Sequence, residues 1–183
     1  MTTFLRRFYP LFIVIGLVVS FGAYVRSCNQ LMDARNATLQ EVRKYADGTN
    51  MRSSHIAKQL ARPYLDAFTL VTYDQRLRAL GNKPFVFGFY IPENSYASFL
   101  SGLQFELIGL MHRMDKDDPK LAALTAAEEN INELTTRNLH LMTFEDRLTG
   151  NNRPDSMKEL EAYRRDFEAL KREDDAIIGK YFH

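Results

Sequence analysis

Side chains that could carry out chemistry are few in this sequence, and they form no recognised catalytic pattern. The chain has 183 residues with one cysteine and four histidines, which excludes an internal disulfide framework and a cysteine-rich zinc or iron–sulfur site. No histidine has a glutamate three positions before it, as a di-metal carboxylate site in a helical bundle requires. The motifs G-x-S-x-G, H-E-x-x-H and C-x-x-C do not occur, nor does a glycine-rich phosphate loop. We therefore predict a non-enzymatic protein with no catalytic residues, no metal and no cofactor.

An aromatic segment, FVFGFYI at residues 85–91, lies between Pro84 and Pro92. Its alternation and its aromatic content favour an extended conformation. Two interpretations compete for its side chains: they plug one end of a helical domain, or they form a docking lip for a partner or ligand. Insertion into a bilayer is a third option. The candidate contact residues are Phe85, Phe87, Phe89 and Tyr90.

Small residues near the N-terminus suggest chemistry at a membrane. Residues 25–28, VRSC, place Cys28 after a branched apolar residue at −3 and a small residue at −1, so Cys28 is a candidate lipidation site. Arg26 departs from the usual lipoprotein pattern, and an inert thiol or an intermolecular disulfide are the alternatives for Cys28. Gly16 and Ser20 form a small-x-x-x-small pair, which lets membrane helices approach each other closely.

These residues belong to one apolar stretch, which must position them. Between Arg7 and Arg26 lies FYPLFIVIGLVVSFGAYV, 18 residues without a charge. As a helix this stretch spans about 27 Å, close to the ~30 Å hydrocarbon core of a bilayer. We predict that residues 1–27 form an uncleaved, single-pass transmembrane anchor. A cleaved signal peptide and a lipoprotein signal cut before Cys28 are the alternatives.

Charge distribution indicates an orientation and excludes one class of partner. Arg6 and Arg7 precede the apolar stretch, which favours a cytoplasmic N-terminus. The rest of the chain then lies in the periplasm of a bacterial inner membrane. Subtracting the three arginines of residues 1–27 from 24 basic residues leaves 21 against 23 acidic ones, a net charge of −2 for residues 28–183. That balance gives no reason to expect nucleic acid as a partner, or bulk attraction to anionic lipid.

Beyond Arg26 the apolar residues recur at helical spacing. A stripe through residues 28–46 predicts that the membrane helix continues into water. Asp47-Gly48-Thr49-Asn50 predicts a turn, since its residue types terminate helices. A second helix is predicted at about residues 53–80, with Pro63 kinking it or marking its true start.

Three more amphipathic segments complete the predicted domain. One is a helix at about residues 93–114, the next follows Asp118 and Pro119, and the last begins at Ser156, which forms a capping box with Glu159. Amphipathic helices joined by short loops favour an antiparallel bundle. The predicted fold is therefore all-α: a single N-terminal transmembrane helix, then a helical bundle at 28–183 with one extended aromatic segment.

The layout resembles an uncharacterised family of bacterial envelope lipoproteins with helical domains of unknown function. The resemblance rests on Cys28 after the apolar stretch, and on Gly81-Asn82-Lys83-Pro84 leading to Phe87-Gly88-Phe89-Tyr90. It implies an envelope location and no known enzyme activity. The family supplies no functional residues to carry over.

An anchor and a bundle without a catalytic pattern predict a protein that works by contact. We expect a membrane-anchored interaction protein, an accessory or scaffold subunit of a bacterial envelope complex. Its expected partners are the lipid bilayer and either another protein or a second copy of itself. The alternatives are an envelope ligand-binding or sensory module, with a lipid or amphiphile as a candidate ligand, and a lipoprotein anchored through Cys28.

Overall fold

The protein is all-helical over the residues that its computed structural model describes, which are 2–81 and 96–181. Within these ranges no residue lies in a strand, which confirms the all-α class. The aromatic segment at residues 85–91 lies outside the described residues. The helices of the described ranges are α1 Thr2–Ala61, α2 Ala67–Gly81, α3 Tyr96–Met111, α4 Leu121–Thr149 and α5 Met157–Gly179.

α1 is one helix of 60 residues, and the turn predicted at residues 47–50 is wrong. Thr49 and Asn50 are buried there, while Gly48 faces open space. The helix propensity lost at a glycine is only about 1 kcal/mol, and packing of the buried face outweighs it. The predicted boundary between anchor and domain, at residues 27 and 28, falls inside this continuous helix.

The helix predicted at residues 53–80 is in fact two segments. Residues 53–61 are the end of α1, which stops two residues before Pro63 because proline lacks an N–H and clashes with the preceding turn. α2 starts after Asp66, whose carboxylate accepts hydrogen bonds from the Thr69 N–H at 2.8 Å and the Thr69 hydroxyl at 2.9 Å. Asp66 therefore caps the new helix.

The last three helices bury the apolar stripes that the sequence predicts. Ser156 caps α5, since its hydroxyl accepts a hydrogen bond from the Glu159 N–H at 3.2 Å, and the Glu159 carboxylate accepts one from the Asp155 N–H at 2.7 Å. This confirms the predicted capping box, shifted by one residue on its return bond. The buried stripe residues include Leu100, Leu103 and Leu107 of α3, Leu124, Ile131, Leu134, Leu141 and Leu148 of α4, and Leu160, Tyr163, Phe167 and Ile177 of α5.

Two apolar clusters hold the helices together, one after the other along α1. The lower cluster, nearer to Arg26, joins α1 to α4 and α5 and contains Val42, Ala46, Leu141, Leu148, Leu160, Tyr163, Phe167 and Leu170. The upper cluster joins the end of α1 to the other four helices around Ile56, Ala57, Leu77, Phe99, Leu103, Ile131 and Ile178. Phe99 and Phe167 are the largest fully buried side chains; truncating a buried phenylalanine to alanine typically costs about 3–5 kcal/mol.

Candidate functional site

The first half of α1 presents its apolar side chains to the outside. Leu17, Val19 and Phe21 are among the most exposed large apolar residues of the described chain. An 18-residue stretch of this helix is long and apolar enough to cross a membrane, and none of it is buried inside the protein. Burying one such side chain is worth about 1.5–3 kcal/mol, so an apolar environment would stabilise the stretch. By length and composition it is a candidate membrane span or signal anchor.

Gly16 and Ser20 lie in this exposed stretch, one turn apart. A Cβ added at Gly16 would meet nothing within 4 Å. The space beside the pair is therefore open to a second helix or to lipid. That the pair packs against another membrane helix stays a prediction.

Cys28 is a free, exposed cysteine on the same helix. It lies two residues after Arg26, inside continuous α-helix. Its lipidation stays a prediction. The aromatic residues Phe85, Phe87, Phe89 and Tyr90 lie outside the described residues, so their role as contact residues also stays a prediction.

A buried polar layer separates the lower cluster from the upper cluster. Its members come from α1, α4 and α5, and each has at most 7% of its surface exposed. Buried polar groups need hydrogen-bond partners, because an unpaired one costs about 1–3 kcal/mol. The buried polar layer consists of Thr49, Asn50, Ser53 and Ser54 of α1, Thr135 and Asn138 of α4, and Asp174 of α5.

An asparagine pair lies at the centre of this layer. The Asn138 side-chain amide donates a hydrogen bond to the Asn50 side-chain oxygen. Asn50 Nδ2, Asn138 Oδ1 and the Ser54 hydroxyl have no hydrogen-bond partner among the described residues. A pair that leaves polar atoms unmatched contributes little net stability, but it fixes the register of one helix against another, as single buried asparagines do in coiled coils.

Asp174 is the acidic member of the layer. Its carboxylate accepts a hydrogen bond from the Tyr45 hydroxyl at 3.0 Å. Burial raises the pKa of Asp174, and hydrogen bonds from Tyr45 and Thr49 and the charge of Arg137 partly oppose that rise. Burial likewise raises the pKa of Tyr45, so its hydroxyl stays a donor.

A second buried carboxylate, Glu145, lies in the lower part of α4. One of its oxygens accepts hydrogen bonds from Arg43 Nε at 2.8 Å and Arg43 Nη2 at 2.7 Å. The other oxygen has no partner among the described residues. Burial raises the pKa of Glu145, and the Arg43 guanidinium opposes the rise. The layer and this ion pair together fasten α1 to α4 at two levels.

The layer and its flanking pairs connect α1, α4 and α5 to one another. Within residues 2–81 and 96–181, no group of three histidine, cysteine or acidic side chains lies close enough to hold a metal ion. The sequence signal for the layer was present but weak. Asn138 lies on the predicted apolar stripe of α4, and Thr38, Val42, Ala46, Asn50 and Ser54 continue the stripe of α1 at four-residue spacing.

Comparison with known protein families, with curated protein sequences and with solved structures finds no match to this chain. The resemblance to envelope lipoproteins therefore stays a prediction.

Proposed function

We propose that this chain is a membrane-anchored helical interaction protein, a non-enzymatic accessory or scaffold subunit of a bacterial envelope complex. One observation carries the proposal: α1 runs without a break from an exposed apolar stretch into the buried core. A rigid rod of this kind holds a folded domain at a fixed height above a membrane. We place the anchor in the inner membrane and the domain in the periplasm, on the strength of Arg6 and Arg7.

The domain that we propose is an antiparallel bundle. Two contacts support it: Arg43 meets Glu145 and Asn50 meets Asn138, so residue numbers rise along α1 while they fall along α4. Such a bundle offers long, regular outer faces for contact.

Exposed aromatic side chains on α2 and α3 support a role in protein contact. Phe68 is 82% exposed and Phe105 is 73% exposed. Val71 of α2 is also exposed. Aromatic residues such as phenylalanine are enriched at protein interfaces relative to the rest of the surface.

Site-specific photocrosslinking in the native membrane tests this function. A benzophenone amino acid replaces Phe68 or Phe105 in the full chain, and Gln75, an exposed polar residue of α2, is the matched control. We expect a discrete protein adduct at the two aromatic positions and none at Gln75. Absence of adducts at both, together with a monomer in mild detergent, would overturn the proposal.

A ligand-binding or sensory module is the second candidate, and one cleft favours it. A cavity of about 330 Å³ lies between α1 and α2 and is lined by His55, Lys58, Gln59, Arg62, Leu70 and Asp74. An anionic amphiphile that binds only the native state must raise the melting temperature. A rise that Arg62→Ala abolishes would support this function, whereas no rise with any amphiphile would remove it.

A further inference from the structure

α5 runs in the same direction as α1, which fixes the height of its start. Arg164 of α5 donates hydrogen bonds to the Ala34 carbonyl at 3.1 Å and to the Thr38 hydroxyl at 2.8 Å. Further along, Tyr45 of α1 bonds to Asp174 of α5. Residue numbers therefore rise together along the two helices.

Counting back from these contacts brings the start of α5 close to the end of the apolar stretch. Ser156 precedes Arg164 by eight residues, so the Ala34 contact places Ser156 level with Arg26, and the Thr38 contact places it level with Gln30, about 6 Å further from the stretch. The headgroup region extends about 5–7 Å beyond the hydrocarbon on each side, so the start of α5 falls within it. If α1 tilts by about 20° in the membrane, the start of α5, whose axis lies about 9 Å from that of α1, moves by only about 3 Å along the membrane normal.

The segment that leads from α4 into the start of α5, residues 150–158, has the side chains of a lipid-contacting surface; we name it the membrane-facing loop. Arg153 and Lys158 are exposed, and between them Met157 is 42% exposed. Pro154 is buried and fixes the loop to the domain. Asp155 is its acidic side chain, so the loop carries a net charge of +1 although residues 28–183 carry −2.

We propose that the membrane-facing loop rests in the headgroup layer of the membrane that α1 spans. Arg153 and Lys158 pair with lipid phosphates, and Met157 enters the boundary between headgroups and acyl chains. The inference rests on the proposed function, because it needs α1 to be retained as an anchor. A second contact point beside α1 prevents the domain from turning freely about the helix axis, so it presents one fixed face to a partner.

Depth measurement on the full chain in vesicles tests the proposal. In a Cys28→Ser background, Asp155→Cys in the loop, next to the start of α5, carries an environment-sensitive fluorophore. Lys116→Cys carries the same fluorophore in the connection between α3 and α4, at the far end of the domain. The vesicles contain phosphatidylcholine with phosphatidylglycerol and a quencher attached to the headgroups. We expect strong quenching at position 155 and none at position 116; equal, water-like behaviour at both positions would overturn the proposal.

Charge reversal separates the role of the basic residues from simple proximity. The double substitution Arg153→Glu with Lys158→Glu removes two attractions to lipid phosphates, each of which shifts the equilibrium of loop contact about fivefold, so we expect the quenching at position 155 to fall. Lys116→Glu with Lys120→Glu is the matched control, with the label at position 155, and should change nothing. Unchanged quenching in the first variant would refute the pairing with phosphates. Carbonate extraction of the same vesicles distinguishes the failures: a chain that washes off overturns the anchor itself, whereas a retained chain with an unquenched loop overturns only this inference.

Discussion

The two halves of α1 have the same backbone conformation and opposite relations to their surroundings. Val19, in the first half, is 65% exposed, whereas Val42, in the second, is fully buried. Polar residues show the reverse: Ser20 is exposed and Ser54 is fully buried. A helix in water would bury the valines and expose the serines in both halves.

This difference teaches that one continuous helix can suit two environments. The first half exposes apolar side chains, as a candidate membrane span or signal anchor does. The second half is held by two apolar clusters and by the buried polar layer between them. Matched substitutions in the two halves should therefore have opposite consequences.

The largest effect is expected at Val42. Val42→Asp places an unpaired charge in the lower cluster, which should lower the free energy of unfolding by about 4 kcal/mol or more. For a domain of this size that is a fall in melting temperature of roughly 8–16 °C, measured by circular dichroism of the full chain in detergent. Val19→Asp is the control and should leave the melting temperature of the domain unchanged; a similar loss from both variants would erase the distinction between the halves.

Membrane retention should respond in the opposite way. Val19→Asp puts a charge near the middle of the apolar stretch and weakens its insertion by about 2.5–3.5 kcal/mol. We expect carbonate washing to release more of this variant than of the parent chain. Val42→Asp should stay in the membrane fraction even though its domain is destabilised. Equal retention of both variants would contradict a lipid environment for Val19.

In the buried half of α1, replacing one residue of the asparagine pair should destabilise the domain more than replacing both. Asn138→Leu leaves the Asn50 side chain buried without its partner and should destabilise the domain by about 1–3 kcal/mol. The double variant Asn50→Leu with Asn138→Leu should recover most of that loss. Denaturant unfolding of the two single variants and the double gives the coupling energy. Strict additivity would mean that the pair does not act as a unit.

The sequence predicted well those helices whose buried face is mostly apolar. In α4 and α5 the apolar residues recur every three or four positions, and Leu134, Leu141, Phe167 and Ile177 are buried as predicted. Hydrophobic periodicity alone carries that information. The capping box at Ser156 is equally local, since both partners lie within one turn.

The middle of α1 could not be predicted for a physical reason. Its Gly, Thr and Asn residues favour a turn, and what keeps them helical is a contact with a distant helix. Asn50 and Asn138 are 88 positions apart, so no local pattern records their pairing. The lesson is that a cluster of turn-forming residues is a weak stop signal where it continues a buried stripe.

Acidity should have a smaller effect, of a defined sign. Burial raises the pKa values of Asp174 and Glu145 above their ordinary values of 3.8 and 4.5. When the pH lies between the ordinary pKa values and the raised ones, the folded state binds more protons than the unfolded state. The stability from these groups is therefore fully present at the acidic side of that window, and it is lost as pH rises through the raised pKa values. We expect the melting temperature to fall from mildly acidic to neutral pH.

Asp174→Asn separates this effect from general titration of the surface. An amide stays neutral at every pH, so the slope of melting temperature against pH should become shallower. Asp117→Asn, at an exposed residue in the connection between α3 and α4, should keep the parent slope. A steeper slope in the first variant would contradict the sign derived for Asp174.

The smallest effect is expected in the exposed first half of α1. A substitution at Gly16 tests whether lipid alone covers that surface. Gly16→Ile fills the open space beside Ser20 and should weaken self-association by about 1 kcal/mol, roughly fivefold, if two copies of α1 pack there. Gly22→Ile adds the same bulk on another face, where a Cβ also meets nothing within 4 Å. Energy transfer between chains labelled at the exposed Cys28 measures association in micelles. A fall confined to the Gly16 variant makes this face a helix–helix contact, whereas equal transfer in both variants assigns it to lipid, and neither substitution should alter the melting of the domain.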